Sequence, residues 1–150
     1  TDLIDVCAVI QHKGNYLLAK RRPEERWAGL WDFPRLTVSE STGTRTSKTP
    51  PAESLTVWSG ELADHLRAEF GLVVELSGPV TRLRHSITRY RVQLIGFAGD
   101  VSADGVAVGR NSKTSSAKRS RRESTWASLS ELEQFPLTVT ARKIARRLPF

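Results

Sequence analysis

The sequence predicts an α/β protein of the α+β kind, a mixed-sheet α/β/α sandwich in which strands surround one long helix. Residues 4–10 alternate as in a strand, and apolar residues recur at steps of three and four over residues 55–70, as on the buried face of a helix. Further strand-like segments lie on both sides of that helix, without the regular strand–helix alternation of a doubly wound parallel sheet. With 150 residues, the chain is predicted to form one domain, residues 1–150, with a sizeable core.

The residue pattern of the N-terminal third of the chain predicts three strands and a loop. Residues 4–10 are apolar on both faces, which is typical of a central strand, and Lys13-Gly14-Asn15 provides a turn. Residues 16–22 then return as a second strand, and residues 30–34 form a short aromatic strand that a proline ends. Residues 38–51 are rich in Ser, Thr, Gly and Lys and contain two prolines, so a flexible loop is expected there.

The remaining elements follow the long helix, which Gly71 is expected to end in the left-handed cap position. Residues 80–88 and 89–98 predict two strands, followed by a flexible basic loop over residues 109–123 and a short strand over residues 124–127. Ser128 and Glu131 match a capping box, which starts a short helical turn before Pro136. Residues 141–148 predict a final helix with Ile144 and Leu148 directed inward.

Most of the net charge of +7 comes from one segment. Residues 110–122 contain six basic residues and no acidic residue, so the rest of the chain carries only +1. Such a segment is either a solvated loop or a phosphate-binding element, and composition alone does not decide between them. If it binds DNA, the candidate contacts are Lys118, Arg119, Arg121 and Arg122.

The composition also excludes several classes of protein and several kinds of site. No apolar run approaches the roughly 20 residues of a membrane span, and no signal peptide is recognisable, so no membrane partner and a cytoplasmic location are expected. The single cysteine, Cys7, cannot form an internal disulfide or build a thiolate metal site, and its aliphatic neighbours predict a small buried side chain. The chain begins Thr1-Asp2 and contains no methionine, which indicates a domain of a longer protein.

Four segments of the chain form a recognisable set: residues 6–10 with 17–21, residues 29–34, residues 61–71 and residues 126–132. The Leu-Trp-Asp-Phe-Pro run is the most specific of them, and Pro-Leu-Thr-Val before the basic C-terminal helix adds to it. Together these segments resemble a Nudix fold, and more specifically the Nudix-like C-terminal domain of the MutY family of adenine DNA glycosylases. The resemblance covers nearly the whole chain except the two loops.

The resemblance allows the metal-binding box of a Nudix hydrolase to be compared residue by residue. With the final glycine of the box on Gly71, only Glu69 remains of the three clustered carboxylates, and His65 and Ala68 take the other two places. Carboxylate oxygens are the ligands that magnesium needs to clamp a diphosphate. Arg35 also replaces the Pro-Gly-Gly segment that precedes the box in hydrolases. The segment is therefore interpreted as a structural helix that lacks the metal site. The alternative is that Glu61 and Asp64, which share a helix face, substitute for the missing carboxylates.

The resemblance implies a DNA-binding domain that recognises 8-oxoguanine opposite a misincorporated adenine in base excision repair. No catalytic residue, metal or cofactor is expected in this chain. The excision of adenine and an iron–sulfur cluster are implied for an N-terminal glycosylase domain of the same parent protein, and the expected partner is double-stranded DNA with 8-oxoguanine:adenine mispairs. The alternative is a Nudix hydrolase of oxidised nucleotides with an atypical metal site. A third possibility is an interaction domain that has lost both roles.

Relatives read the lesion with a segment like H-x-F-[ST]-H on a turn between strands, and His85-Ser86-Ile87-Thr88-Arg89 resembles it. Oxidation of guanine adds a hydrogen-bond donor at N7 and an acceptor at C8, and a hydroxyl can sense both changes. Ser86 and Thr88 are therefore the candidate lesion contacts, and Arg84 and Arg89 could hold phosphates. The alternative is an ordinary edge hairpin with a solvated turn. His85 is expected to be a satisfied buried histidine rather than a direct contact.

Aromatic and basic residues near the N-terminus are secondary candidates. Trp27 lies in a charged segment and is the more exposed candidate for stacking a base, whereas Trp31 and Phe33 are expected in the core. A run of three basic residues ends the second strand, and it either binds phosphate or pairs with neighbouring acids. These residues are Lys20, Arg21 and Arg22, with Glu24 and Glu25 as the possible partners.

Overall fold

The computed structural model describes residues 1–41, 50–87, 89–101 and 122–149. Among them are seven strands, two α-helices and a 3-10 turn over Leu132–Gln134. The strands are β1 (Asp2–His12), β2 (Asn15–Lys20), β3 (Trp31–Asp32), β4 (Arg35–Ser41), β5 (Val74–Ile87), β6 (Tyr90–Val101) and β7 (Ser124–Ser128). The helices are α1 (Ala52–Phe70) and α2 (Val139–Ala145).

One mixed sheet contains all seven strands, in the order β3-β2-β1-β6-β5 with β4 paired to β1 and β7 paired to β2. The central strand β1 runs parallel to β6 over ten paired positions and antiparallel to β4. A tight turn with Lys13 at φ 52° and Gly14 at φ 81° joins β1 to β2. The strand predicted to be central is therefore central, because both of its faces are apolar and both of its edges are paired.

The two faces of the sheet carry separate hydrophobic clusters. Alternate residues of β1 divide between them: Val6 and Ala8 pack on the side of α1, whereas Cys7 and Val9 pack on the side of α2. Helix α1 contributes the apolar stripe that the sequence predicted, and α2 contributes Ile144 with its neighbours. A mixed sheet between two helices confirms the predicted α+β sandwich.

Local signals in the sequence place the ends of several elements correctly. Gly71 follows α1 at φ 68°, in the left-handed conformation that favours glycine. The predicted capping box is present, since the Ser128 amide donates to Glu131 Oε1 at 2.9 Å and the Glu131 amide donates to Ser128 Oγ at 3.3 Å. The α2 helix begins earlier than the predicted residue 141, because the Thr138 hydroxyl accepts from the Ala141 amide and caps the helix there.

Two strand boundaries differ from the sequence prediction. Residues 38–41, predicted as the start of a loop, continue β4, because they pair with the first residues of β1. Strand β5 begins at Val74 rather than at residue 80, because its first residues pair with the end of β6. Of the two predicted loops, residues 42–49 and 109–121 lie outside the described residues. Within the described ranges, no helix combines the length and the hydropathy that a membrane span requires.

Candidate functional site

The helix face that would hold metal in a hydrolase carries a single carboxylate here, that of Glu69 near the end of α1. Arg22 Nη2 donates to Glu69 Oε2 at 3.1 Å. Arg122 Nη2 lies 3.4 Å from the other carboxylate oxygen, Oε1. Both oxygens of Glu69 therefore face guanidinium groups from distant parts of the chain, one at the end of β2 and one just before β7.

A second carboxylate, that of Glu25, completes this arrangement. Arg122 donates from both terminal nitrogens to the two oxygens of Glu25, with the Nη2–Oε2 pair at 2.7 Å, and the Arg22 amide donates to Glu25 Oε1 at 2.7 Å. Burial alone would raise the pKa of Glu25, but the hydrogen bonds from Arg122 and Arg22 lower it to about 2. These four residues, Arg22, Glu25, Glu69 and Arg122, are called the arginine–glutamate cluster below.

The donor groups present do not fit a divalent cation. His65, at one of the carboxylate positions of the box, is half-buried, its Nε2 has no hydrogen-bond partner among the described residues, and burial lowers its pKa. Ala68 offers no ligand, and Glu61 and Asp64 are both exposed. Within the described part of the chain, no three His, Cys, Asp or Glu side chains lie where they could hold a metal ion together.

Two residues of the basic run at the end of β2 form ion pairs with acidic residues. Arg21 Nε lies 4.0 Å from Glu25, and Arg22 pairs with Glu69, which sequence reasoning did not consider. Arg122, predicted as a DNA contact in a flexible loop, has a side chain only 6% exposed within the cluster. Its contact with DNA remains a prediction. Lys118, Arg119 and Arg121 lie outside the described residues.

Arg35, which replaces the Pro-Gly-Gly segment, forms a second buried ion-pair group. Its side chain is 2% exposed, and Nε donates to Asp5 Oδ2 at 2.6 Å. Nη1 donates to Thr140 Oγ1 at 3.0 Å and lies 3.4 Å from Asp32 Oδ2. Burial raises the pKa of Asp32, although Arg35 opposes that shift. This group, which sequence reasoning missed, joins β1, β3, β4 and α2. An acid inside the apolar pattern of β1, Asp5, was the available signal.

The segment predicted to read the lesion meets the loop that follows β2. The Trp27 ring lies 6.1 Å from the His85 ring, and Trp27 has φ 59°, unusual for a residue other than glycine. The Arg26 guanidinium lies 5.6 Å from the centre of the Trp27 ring and 5.4 Å from that of Tyr90. Trp27, His85 and Tyr90 are called the aromatic cluster below. Sequence reasoning named Trp27 and His85 separately and did not place them together.

The predicted site residues of the β5–β6 turn lie at one end of the sheet and differ in exposure. Arg84, Ser86 and Arg89 are all exposed, and Arg84 and Ser86 flank His85 in β5, so their side chains lie on the opposite face of that strand from the His85 ring. Thr88 lies outside the described residues. His85 is half-buried against Trp27, and burial lowers its pKa, with Lys143 and Arg35 acting in the same direction. The structure thus brings three of the candidate residues to one end of the sheet.

Three predictions about the core can be checked directly. Phe33 is fully buried, as predicted. Trp31 is half-buried and packs edge-on against Phe135 at 5.5 Å between ring centres. Cys7 is fully buried, and burial raises the pKa of its thiol, so it is an inert packing residue as predicted.

Solved structures resemble this chain along nearly its whole length. The MutT protein from Methanosarcina mazei Go1 has a TM-score of 0.67 and 27% identity, over 97% of this chain and 91% of that chain. A MutT NUDIX hydrolase from Burkholderia pseudomallei has a TM-score of 0.60 and 19% identity, over 99% of each chain. Shewanella oneidensis NrtR has a TM-score of 0.62 and 16% identity, over 97% of this chain and 61% of that chain. The last two show the fold alone.

The comparison with sequence families agrees with the structural one. No curated protein matches the chain significantly. A family model described as the NUDIX domain matches residues 5–147. Because that match spans nearly every element of the sandwich, from β1 to α2, the chain belongs to the NUDIX domain family.

Proposed function

We propose that this NUDIX domain is a DNA-recognition domain that reads 8-oxoguanine opposite adenine and does not itself hydrolyse nucleotides. The observation that carries the proposal is the arginine–glutamate cluster. The one carboxylate left at the three clustered ligand positions of the box, that of Glu69, is paired with Arg22 and Arg122. The side chains of Arg22 and Arg122 thus neutralise the Glu69 carboxylate, to which a metal ion would otherwise bind.

A divalent ion would have to displace these guanidinium groups before it could use Glu69. Arg122 is the more firmly held of the two, because it also makes two hydrogen bonds to Glu25. Each hydrogen bond to a charged group contributes about 1.5–3 kcal/mol, and displacing the guanidinium groups would forfeit that contribution. Since His65 and Ala68 offer no replacement oxygens, a metal would gain too few ligands to offset that cost.

The β5–β6 turn supplies the groups that the proposed recognition needs. Arg84 and Arg89 are exposed at this end of the sheet, where they can contact phosphates, and Ser86 presents a hydroxyl beside them. Trp27 and Tyr90 are half-buried beside the Arg26 guanidinium, and an unstacked base would pack on the ring faces turned away from it. With the hydroxyl of Thr88, these groups would read the altered edge of oxidised guanine.

In this proposal the domain belongs to an adenine DNA glycosylase of base excision repair, acting in the cytoplasm on double-stranded DNA that contains 8-oxoguanine:adenine mispairs. The glycosylase chemistry and its iron–sulfur cluster would belong to an N-terminal domain of the same parent protein. This chain would supply lesion preference and part of the DNA affinity.

A nucleotide hydrolase is the second candidate. The observation that favours it is the 27% identity with a MutT protein from Methanosarcina mazei Go1, over nearly the whole of both chains. The two candidates differ in one measurable respect, since only a hydrolase turns over a free oxidised nucleotide.

Equilibrium binding to two duplexes tests the proposed function. One duplex carries adenine opposite 8-oxoguanine and the other adenine opposite guanine, at a single salt concentration. We expect the chain to prefer the oxidised duplex and Thr88→Val to reduce that preference about two- to tenfold, as for one ordinary hydrogen bond. Equal binding to both duplexes by the wild-type chain would contradict the proposal. If Ser86→Ala abolishes the preference and Thr88→Val does not, Ser86 is the residue that reads the lesion.

A further inference from the structure

Arg26 lies between the centre of the sheet and the β5–β6 turn, and the proposed recognition of DNA gives it no role of its own. Its Nη2 lies 3.7 Å from Asp5 Oδ2 on the central strand β1. Its guanidinium carbon lies 5.6 Å from the centre of the Trp27 ring and 5.4 Å from that of the Tyr90 ring. One side chain therefore contacts a carboxylate of the core and two aromatic rings.

The inner end of this arrangement is held by several contacts. Asp5 is 1% exposed, and it also accepts from Arg35 Nε at 2.6 Å and from Thr37 Oγ1 at 2.7 Å. The Arg35 guanidinium lies 4.8 Å from the centre of the Trp27 ring, so that ring is in contact with two guanidinium groups. Asp5 and Trp27 thus form a fixed support for Arg26.

The outer end of the arrangement is the β5–β6 turn. Tyr90 is the first residue of β6, and it pairs with Ile87, the last residue of β5. Thr88 and Arg89 are the two residues between them in the sequence. Because Ile87 and Tyr90 are directly opposite each other, the place of Tyr90 determines where the turn leaves and rejoins the sheet.

Two further observations concern how the segment around Arg26 is held. Trp27 has φ 59°, in the left-handed region that residues other than glycine rarely adopt, and such strain persists only where the surrounding contacts determine the conformation. Arg26 Nε is buried and has no hydrogen-bond partner in the described part of the chain. The ion pair with Asp5 and the two ring contacts therefore hold the guanidinium in place.

We propose that Arg26 is a positioning residue for lesion recognition, whose guanidinium fixes Tyr90, and with it the β5–β6 turn, against the centre of the sheet. Arg26 reads no base itself and acts through Tyr90. A planar guanidinium can stack on two rings while one of its nitrogens stays beside a carboxylate, whereas a lysine ammonium cannot. The inference rests on the proposed function, which assigns the reading of the lesion to this turn. The competing role is a direct contact between Arg26, whose side chain is 33% exposed, and a DNA phosphate.

Amide hydrogen exchange in the free chain tests the positioning without DNA. We expect Arg26→Lys to accelerate exchange at residues 85–87 and 90–92 about two- to fivefold, as for the loss of one cation–π contact, while the amides of α1 keep their wild-type rates. The matched control is Arg67→Lys, the same replacement at an exposed position of α1, which should leave the amides beside the turn unchanged. Wild-type exchange beside the turn in Arg26→Lys would overturn the inference.

Binding to the two duplexes described above, at several salt concentrations, tests the link to the lesion. Arg26→Lys should lower the preference for the oxidised duplex about two- to fivefold and leave the slope of log affinity against log salt unchanged. In a Tyr90→Leu background the same replacement should change the preference no further, because the ring through which Arg26 acts is absent. Independent, additive effects of the two replacements would contradict the inference.

A phosphate contact gives a different pattern. Arg26→Gln would then make the salt slope shallower by about 0.9 with the lesion preference intact, and Arg26→Lys would bind like the wild type. That result would replace the positioning role with a direct one. Equal binding of both duplexes by the wild type would contradict the proposed function instead, and the exchange rates would then decide by themselves whether Arg26 fixes the turn.

Discussion

Arg122 donates from both terminal nitrogens to the carboxylate of Glu25, which lies 97 residues earlier in the chain. The same guanidinium approaches Glu69 on α1, so one side chain joins the loop after β2, the end of the long helix and the start of β7. A cation supplied by the protein thus neutralises Glu25 and Glu69 near the C-terminal end of α1.

Arg122→Ala should destabilise the fold noticeably. We expect the free energy of unfolding to fall by about 2 kcal/mol, because hydrogen bonds to charged groups contribute about 1.5–3 kcal/mol and both glutamates lose a partner. Urea denaturation measures the change. Arg146→Ala removes an exposed arginine from the turn after α2 and should have little effect, so equal losses in the two variants would contradict the role given to Arg122.

Stability should also depend on the ionisation of Glu25. Its pKa is lowered in the folded state to about 2, so its contribution is fully present above the unfolded value of about 4.5 and is lost as the pH falls toward 2. Because Glu25 is partly exposed, solvent screening reduces this contribution to about 1–2 kcal/mol. Acid titration of the unfolding free energy should show a shallower slope between pH 4.5 and 2 for Glu25→Gln than for the wild type. Identical slopes would contradict the pairing.

The buried group around Arg35 should matter for the fold itself. Arg35→Leu removes the guanidinium nearest to both Asp5 and Asp32 and leaves Asp5 with Arg26 at 3.7 Å, and the loss of one partner of a buried pair costs about 3–5 kcal/mol. Arg82→Ala, an exposed arginine on β5, serves as the control and should change stability by no more than about 0.5 kcal/mol. Thermal unfolding followed by circular dichroism distinguishes the two expectations. A midpoint for Arg35→Leu equal to that of Arg82→Ala would show that this ion-pair group is dispensable.

The basic segment before β7 should affect DNA affinity without affecting lesion preference. Replacing Lys118, Arg119 and Arg121 with serine, with Arg122 retained in its cluster, removes interactions with phosphates, which carry no base identity. The slope of log affinity against log salt should become shallower by about 0.9 for each phosphate that is no longer neutralised. Binding to oxidised and normal duplexes at several salt concentrations checks this expectation, and an unchanged slope would show that these three residues do not bind DNA.

Local patterns in the sequence were sufficient for much of the fold. The apolar stripe of α1, the glycine cap at Gly71 and the capping box at Ser128 each depend on residues a few positions apart. Strand β4 was not predicted, because its last residues are mostly polar and only their pairing with β1 makes them a strand. That pairing joins distant segments, and no pattern within β4 itself predicts it.

The candidate site was predictable only in part. The loss of box carboxylates can be read from residues 65–69, but the partners of Glu69 lie 47 and 53 residues away, and no spacing rule joins them. For the same reason Trp27 and His85 were separate candidates until the fold brought them together. Asp5 was a visible anomaly in an apolar strand, although its partner Arg35 became evident only in three dimensions.

The central claim is that the arginine–glutamate cluster has replaced a catalytic metal site, and hydrolysis of 8-oxo-dGTP by the wild-type chain tests it most directly. Formation of the nucleoside monophosphate is measured with Mg²⁺ and with Mn²⁺, beside Glu69→Gln and the exposed control Glu53→Gln. We predict that all three proteins release product no faster than buffer alone. Metal-dependent turnover that the wild type and Glu53→Gln share, and that Glu69→Gln abolishes, would contradict the account and identify the chain as a nucleotide hydrolase.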